Sequence, residues 1–181
     1  FEQVETLFHE FGHGLHGLLS DAQYPSLSGT SVTRDYVEFP SQMMENWARE
    51  PSVIKTFAKH YETGETIPED LLNKISAAGT FNEGFATTEY VAAAHLDMAY
   101  HTDQGLIEDI DKFEDETLND LGLIPEIESR YRSTYFGHIF AGGYSSGYYS
   151  YLWTEVLEAD AFEAFKDKGL FDKETADKLK K

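Results

Sequence analysis

The stretch that decides the fold is His9-Glu10-Phe11-Gly12-His13, which places two imidazoles one helical turn apart with a carboxylate between them. Side chains at positions i and i+4 lie on the same face of an α-helix, so both imidazoles can reach one ion. Hydrolytic zinc sites take three protein ligands and leave a fourth position open. The intervening glutamate is the usual general base in this pattern. The motif therefore predicts a zinc site on a helix, with His9 and His13 as two of its ligands.

The residues around the motif predict an amphipathic helix. Apolar side chains recur at the spacing of one helix face, and the histidines fall nearly opposite to them. We therefore expect the apolar face to pack into a core and the histidines to face a cleft. Gly12, Gly14 and Gly17 each cost about 1 kcal/mol of helix propensity, so we expect close packing or room for a ligand to offset them. The apolar positions are Val4, Leu7, Phe8, Phe11, Leu15 and Leu18.

The third metal ligand must come from outside this helix. Residue 19 is Leu rather than the histidine that a metzincin would carry, and His16 cannot close a tetrahedral site from the same straight helix. A carboxylate from a second helix is the remaining option, and residues 35–47 offer Glu38 and, two turns later, Glu45. One can bind the metal while the other accepts the outer N–H of a ligating histidine. Spacing alone does not choose between them.

A second group of candidate functional residues lies in the glycine-punctuated stretch 136–151. Glycine lets the backbone approach a substrate closely or flex on closure. Tyrosine hydroxyls can donate hydrogen bonds to the oxyanion that forms when water adds to a peptide carbonyl. From the residues alone, a helix interface and a binding loop are equally good interpretations. The side chains concerned are His138, Tyr144, Tyr148, Tyr149 and Tyr151.

Between the motifs the pattern is mainly α-helical. We expect loop or short strand at residues 22–36 and 133–144, and the length and even composition predict a single domain over residues 1–181. Helical spacing, acidic starts and good helix formers predict helices near residues 38–49, 52–61, 68–77, 84–101, 109–120, 147–166 and 172–181.

The composition narrows the class of partner. Fourteen basic residues against thirty-three acidic ones give a formal net charge of −19. Nucleic acids and anionic membranes both require a positive protein surface, so neither is an expected partner. The absence of cysteine excludes disulfides and a thiol nucleophile.

Several of these stretches resemble the thimet-oligopeptidase family of zinc peptidases. The resemblance runs from Phe8 to Trp47, including the segment 27–32 between the two helices, and continues in residues 78–89 and 136–153. It covers essentially the whole chain and is greatest to the bacterial peptidyl-dipeptidases of the family. The implied fold is a multi-helix, zincin-type catalytic domain with an HExxH active-site helix and little or no β-structure.

The resemblance also implies a role for each matching residue. His9, His13 and Glu38 match the ligands of one Zn²⁺, which selects Glu38 over Glu45, and Glu10 matches the general base. The other expected catalytic residues are His138, Tyr144 and Tyr151. The expected substrate-binding residues are Gly29, Gly143 and Tyr148, whereas Tyr149 and Trp153 are expected to pack.

The implied activity is zinc-dependent hydrolysis of short peptides with release of C-terminal dipeptides. Arg130 and Arg132 are candidates for binding a peptide carboxylate, because they precede the tyrosine-rich stretch. An endo-acting oligopeptidase of the same family and a peptide-binding fragment without catalysis are the alternatives. The first residue is not Met and the active-site helix begins near it. We therefore expect a fragment. The resemblance implies that the intact enzyme is bacterial and cytoplasmic and that its remaining chain completes the substrate channel.

Overall fold

The computed structural model describes residues 1–102 and 105–180, and it is mainly α-helical as predicted. Among these residues the only β-type pairing is an isolated antiparallel bridge between Lys59 and Thr66. Short 3₁₀ turns lie at Pro25–Leu27 and Ser133–Tyr135. The helices are α1 (Glu2–Leu19), α2 (Arg34–Val37), α3 (Phe39–Arg49), α4 (Pro51–Phe57), α5 (Glu69–Ala78), α6 (Glu83–Thr102), α7 (Ile110–Asp120), α8 (Gly137–Phe140), α9 (Ser150–Lys168) and α10 (Lys173–Leu179).

Most predicted helices lie within a few residues of their expected positions. The helix predicted at 52–61 is wrong at its end, because α4 stops at Phe57 and the chain then turns back through the bridge. The predicted loop at 22–36 contains a 3₁₀ turn and α2, and the stretch 133–144 contains a 3₁₀ turn and α8. Lys181, the last residue of the final predicted helix, lies outside the described residues.

The chain divides into two compact units. One comprises Phe1–Ala78 together with Tyr151–Lys181, and the other comprises Gly79–Ser150. The single domain over residues 1–181 stays a prediction. Each unit is described below by itself.

In the first unit, α3 packs against α1 on one side and α9 on another. Trp47 of α3 lies edge-on to Phe162 and Phe165 of α9, with ring centroids 5.1 and 4.9 Å apart. The Trp47 indole N–H donates to the carbonyl of Leu170 at 3.0 Å. Met43 completes this buried cluster. The aromatic core therefore fixes the helix that begins beside Glu38.

The expected packing face of α1 is wrong in part. Leu7, Phe11 and Leu18 are 66%, 55% and 78% exposed, whereas Gly12 on another side of the helix is buried against α3. A Cβ atom at Gly12 would lie 2.5 Å from the Cα of Ser41. The glycine inside the motif therefore allows two backbones to touch, and the histidine side of α1 meets α3. Leu7, Phe11 and Leu18 are thus mostly exposed to solvent rather than packed in the core of the described residues.

The second unit is built on α6 and α7. Tyr100 of α6 packs against Phe113 of α7 with ring centroids 4.7 Å apart. The buried carboxylate of Glu114 accepts the backbone N–H of Ser133 at 2.7 Å and pairs with Arg132 Nε at 2.6 Å. These contacts attach the segment before α8 to α7. None of the helices in residues 1–102 and 105–180 combines the length and apolar character needed to cross a membrane.

Candidate metal centre and tyrosine cluster

Three predicted metal ligands meet between α1 and α3 in the first unit. The Nε2 atoms of His9 and His13 lie 3.3 and 3.2 Å from the same oxygen, Glu38 Oε2. The two imidazole rings are edge-to-face, with centroids 4.9 Å apart. Their i, i+4 spacing places them on one face of α1, and Glu38 lies at the junction of α2 and α3. Among the described residues this is the one group of three or more His, Asp or Glu side chains placed to hold a metal.

The donor set of this group fits zinc. Two imidazole nitrogens and one carboxylate oxygen form a typical catalytic zinc set, which leaves a further position for water or substrate. Glu38 is 2% exposed and its Oε2 accepts a hydrogen bond from the Ser41 hydroxyl at 2.9 Å. Burying a carboxylate is costly unless positive charge or hydrogen bonds compensate. A cation beside Glu38, His9 and His13 would supply that charge.

Glu45 supports His9 from the other side of the ring. His9 Nδ1 donates to Glu45 Oε1 at 2.7 Å, so its Nε2 is the nitrogen that faces Glu38. Burial alone lowers the pKa of His9, but hydrogen bonds and charge from Glu38 and Glu45 outweigh burial and raise the pKa to about 9. Arg49 in turn lies 3.4 Å from Glu45 Oε2. The geometry thus places Glu38 against the Nε2 atoms of both histidines and Glu45 against Nδ1 of His9, a difference that spacing alone did not predict.

Glu10 and His16 also lie on α1 but outside the ligand group. The Glu10 side chain is exposed and follows His9 directly in the helix. Burial, followed by the neighbouring His13, lowers the pKa of His16, whose ring lies 6.3 Å from that of Tyr36. Burial therefore disfavours the charged form of His16 beside the group. The base role of Glu10 stays a prediction.

Gly29 lies against α1 in the same unit. Its φ of +56° belongs to the left-handed region, and its N–H donates to Ser20 Oγ at 3.1 Å. A Cβ atom there would lie 3.2 Å from the Cα of Gly17. The left-handed backbone and the close approach to Gly17 therefore explain why glycine stands at position 29. Its contact with substrate stays a prediction.

The second unit brings together three of the predicted tyrosine and histidine side chains. His138 lies 6.1 Å from Tyr144 and 5.5 Å from Tyr148, measured between ring centroids. Tyr144 and His138 are half-buried, whereas Tyr148 is only 3% exposed. Burial raises the pKa of Tyr148, and nearby Tyr131 adds to that effect while Arg130 opposes it. His138, Tyr144 and Tyr148 are called the tyrosine cluster below.

Tyr131 belongs beside the tyrosine cluster, and the sequence analysis missed it. Its ring stacks on Phe136 at 4.9 Å and lies 5.0 Å from His138 and 6.0 Å from Tyr148. Its position between Arg130 and Arg132, the candidates for binding a peptide carboxylate, is the sequence feature that could have indicated it. Of those arginines, Arg132 is paired with Glu114 as described above.

The remaining predicted side chains are placed differently. Gly143, with φ of +80°, belongs to the loop of the second unit. Tyr151 is half-buried in the first unit, where its carbonyl accepts a hydrogen bond from Gln42 Nε2 at 3.0 Å. Tyr149 and Trp153 are 45% and 54% exposed, so the expectation that both pack inside is wrong.

Comparison with known proteins places the chain among peptidases. The family model described as Peptidase family M3 matches residues 1–181. The dipeptidyl carboxypeptidase of Escherichia coli (strain K12) is 46% identical over 172 residues, covering 93% of this chain and 25% of that protein. Organellar oligopeptidase A of Arabidopsis thaliana is 44% identical over 176 residues, covering 95% of this chain and 22% of that protein.

Oligopeptidase A of Escherichia coli (strain K12) is also similar, at 41% identity over 181 residues, covering 96% of this chain and 26% of that protein. The chain thus spans about a quarter of the length of the curated relatives that it matches.

Proposed function

The chain belongs to peptidase family M3, and from this premise we propose that it is part of the catalytic region of a zinc-dependent peptidase acting on short peptides. The observation that carries the proposal is the convergence of His9 and His13 on the buried Glu38 carboxylate. Two histidines and a carboxylate leave a position for chemistry, whereas a structural zinc site would be closed by a fourth protein ligand.

The residues of the first unit supply the base and the metal support. When bound by His9, His13 and Glu38, zinc would act as a Lewis acid. The exposed Glu10 carboxylate would accept a proton from the attacking water and pass it to the leaving amine. Glu45 would hold His9 in the tautomer that turns Nε2 to the metal.

Two side chains of the tyrosine cluster, together with Tyr151 of the first unit, would donate hydrogen bonds to the substrate. His138, Tyr144 and Tyr151 are the proposed donors to the oxyanion, and each is half-buried rather than enclosed. Tyr148 is proposed to bind substrate together with Gly29 and Gly143. Since Tyr148 is 3% exposed, its hydroxyl would have to become accessible for that role.

Dipeptide release from peptide C-termini is the specific activity that we propose. Two of the relatives, at 46% and 43% identity, are named dipeptidyl carboxypeptidase. Relatives named oligopeptidase A, at 41% to 44% identity, support the endo-acting alternative. Arg130 is the candidate for a carboxylate-binding cation, because its permanently charged guanidinium lies beside Tyr131 and Tyr148.

The rest of a longer protein is the proposed partner of the exposed α1 face. Leu7, Phe11 and Leu18 recur at helical spacing and are all exposed, whereas an amphipathic helix ordinarily turns such a stripe towards a core. The relatives are about four times as long as this chain. The additional residues of such a longer protein would cover this face of α1 and form the walls of the substrate channel. From the resemblance to bacterial peptidases we also propose a bacterial cytoplasmic location.

The test combines metal analysis with mapping of cleavage sites. We expect about one zinc per chain after dialysis, and clearly less in Glu38→Gln. Glu10→Gln is the matched control, because it should keep the metal and lose cleavage. Absence of zinc from the parent, or cleavage that survives Glu10→Gln, would contradict the proposal.

Paired peptides separate the remaining alternatives. Peptides with a free C-terminus should lose dipeptides, whereas the same peptides with an amidated C-terminus should resist. Internal cuts in the amidated peptides would replace dipeptide release with endopeptidase action. Peptide binding that is unaffected by a chelator, without any cleavage, would favour the non-catalytic binding fragment.

A further inference from the structure

Asp97 is a fully buried acid of α6 that the proposed chemistry does not use. Its side chain is 0% exposed. One carboxylate oxygen accepts the backbone N–H of Ser146 at 2.9 Å, and the other accepts the backbone N–H of Tyr148, also at 2.9 Å. His101, one turn later on α6, lies 2.9 Å from the first oxygen. The carboxylate thus ties α6 to a loop about fifty residues further along the chain.

The loop that Asp97 holds, residues 142–148, carries Tyr144 and Tyr148 and has an unusual backbone. Ser146 has φ of +54°, a left-handed conformation that non-glycine residues adopt only when their surroundings over-determine it. Two further bonds hold Tyr144: its N–H donates to the carbonyl of His138 in α8 at 3.0 Å, and its carbonyl accepts the N–H of Gly147, the residue after Ser146, at 2.8 Å. A shift at Ser146 would therefore move Tyr144 relative to His138.

We propose that Asp97 is a positioning residue, whose carboxylate fixes the backbone of loop 142–148 and thereby sets the tyrosine cluster for substrate. The two N–H groups donate to opposite oxygens of one carboxylate, an arrangement that fixes orientation as well as distance. Asp97 does not touch substrate and acts through the loop. The consequence for turnover rests on the proposed peptidase function, whereas the consequence for the loop does not.

The first test measures hydrogen exchange at the two amides. Ser146 is exposed, so its amide should exchange quickly unless the bond to Asp97 protects it. In Asp97→Asn an amide nitrogen replaces one acceptor oxygen, and exchange at Ser146 or Tyr148 should accelerate roughly tenfold or more. Glu114→Gln is the matched control, since it alters a buried carboxylate of the same unit that binds Ser133 instead.

Equal exchange at Ser146 and Tyr148 in the parent and in Asp97→Asn would overturn the proposal. If Asp97→Asn does not fold, the parent alone decides. Protected amides at both residues support the proposal, and a Ser146 amide that exchanges as fast as an exposed loop overturns it.

The second test is a double-mutant cycle on peptide cleavage. Asp97→Asn should lower kcat about tenfold to a hundredfold with a smaller change in KM, because misplacing a transition-state donor acts mainly on the chemical step. In a Tyr144→Phe background the same substitution should cost much less, since the donor that it positions is already gone. Full additivity would mean a merely structural role. A parent without cleavage would overturn the proposed function, and hydrogen exchange would still decide the role of Asp97.

Discussion

His9 Nδ1 and Glu45 Oε1 lie 2.7 Å apart, and this contact links the candidate metal ligands on α1 to α3. The contact orients the imidazole so that Nε2 points to Glu38, 3.3 Å away. Glu45 is itself bound by Arg49, which also contacts Glu5 of α1 at 2.8 Å. A continuous series of charged contacts, from Glu5 through Arg49 and Glu45 to His9, therefore connects α1 and α3.

Removing the Glu45 carboxylate should weaken metal binding without abolishing it. Partners of this kind orient a ligating histidine and raise its basicity, and their loss commonly costs about 10–100-fold in metal affinity. We expect Glu45→Gln to raise the zinc Kd by that factor in competition with a chelator. Glu10→Gln changes an exposed carboxylate of α1 and serves as the control. An unchanged Kd in Glu45→Gln would show that the contact does not tune the site.

Zinc affinity should rise steeply with pH. The Glu38 and Glu45 carboxylates outweigh burial and raise the pKa of His9 to about 9, so His9 is protonated at pH 7 in the metal-free protein. Metal binding requires neutral imidazole and must release that proton. We expect the affinity to increase about tenfold per pH unit between pH 7 and 9 and then to level off.

The same pKa fixes the sign of the stability effect. Because the folded pKa of His9 lies above its ordinary value of 6.5, the stabilisation of the metal-free protein is fully present below pH 6.5 and is lost as the pH rises through about 9. The expected rise of zinc affinity with pH is checked by titrating zinc at several pH values. The proton release is measured calorimetrically in buffers of different ionisation enthalpy. A flat affinity from pH 7 to 9 would show that His9 is already neutral.

The sequence was sufficient for most of the helices and for the two histidines of the candidate metal group, because both depend on local spacing. The motif fixed His9 and His13, and good helix formers placed α6 and α7 to within a few residues. Preferring Glu38 to Glu45 as the candidate ligand needed either the family resemblance or the folded geometry, because both glutamates were expected on one face of the second helix.

Contacts between distant residues were beyond sequence reasoning. Asp97 binds amides about fifty positions away, and no spacing rule marks an aspartate in a helix as the acceptor for a loop. The apolar face of α1 was assigned to the core because its periodicity is sound. In the structure the side of α1 that carries Gly12 and the histidines packs on α3 instead. Hydrophobic periodicity does not show which face of a helix packs against a given neighbouring helix.

Glu158 should limit the stability of the first unit at neutral pH. Burial raises the pKa of this half-buried carboxyl, while the hydrogen bond from Asn46 Nδ2 opposes the shift. A raised folded pKa means that folding disfavours the charged form, so the penalty is present at neutral pH and disappears as the pH falls through the folded pKa. We expect Glu158→Gln to be more stable than the parent at pH 7 in denaturant unfolding, with an advantage that shrinks towards pH 4.

The control for Glu158→Gln must remove one negative charge from an exposed position of the same helix. Glu163 lies on the same helix, is exposed and pairs with Lys166 at 2.7 Å. Glu163→Gln should change stability by about 0.5 kcal/mol or less, as surface ion pairs usually do. An equal gain in both variants would assign the effect to the net charge of −19 rather than to burial of Glu158.

Gly12 and Gly14 should respond to alanine in opposite directions, although they lie two residues apart in α1. A Cβ atom at Gly12 would lie 2.5 Å from Ser41 Cα and 2.6 Å from the carbonyl oxygen of Pro40, which are backbone atoms that cannot move aside. Separating α1 from α3 to relieve this contact would cost about 1–3 kcal/mol and would pull His9 and His13 away from Glu38. At Gly14 nothing lies within 4 Å of the added atom, so alanine gains up to about 1 kcal/mol of helix propensity. The measurements are denaturant unfolding and zinc content. Gly12→Ala should lose both stability and bound zinc, whereas Gly14→Ala should lose neither. Equal effects of the two substitutions would mean that α1 does not pack on α3 through Gly12.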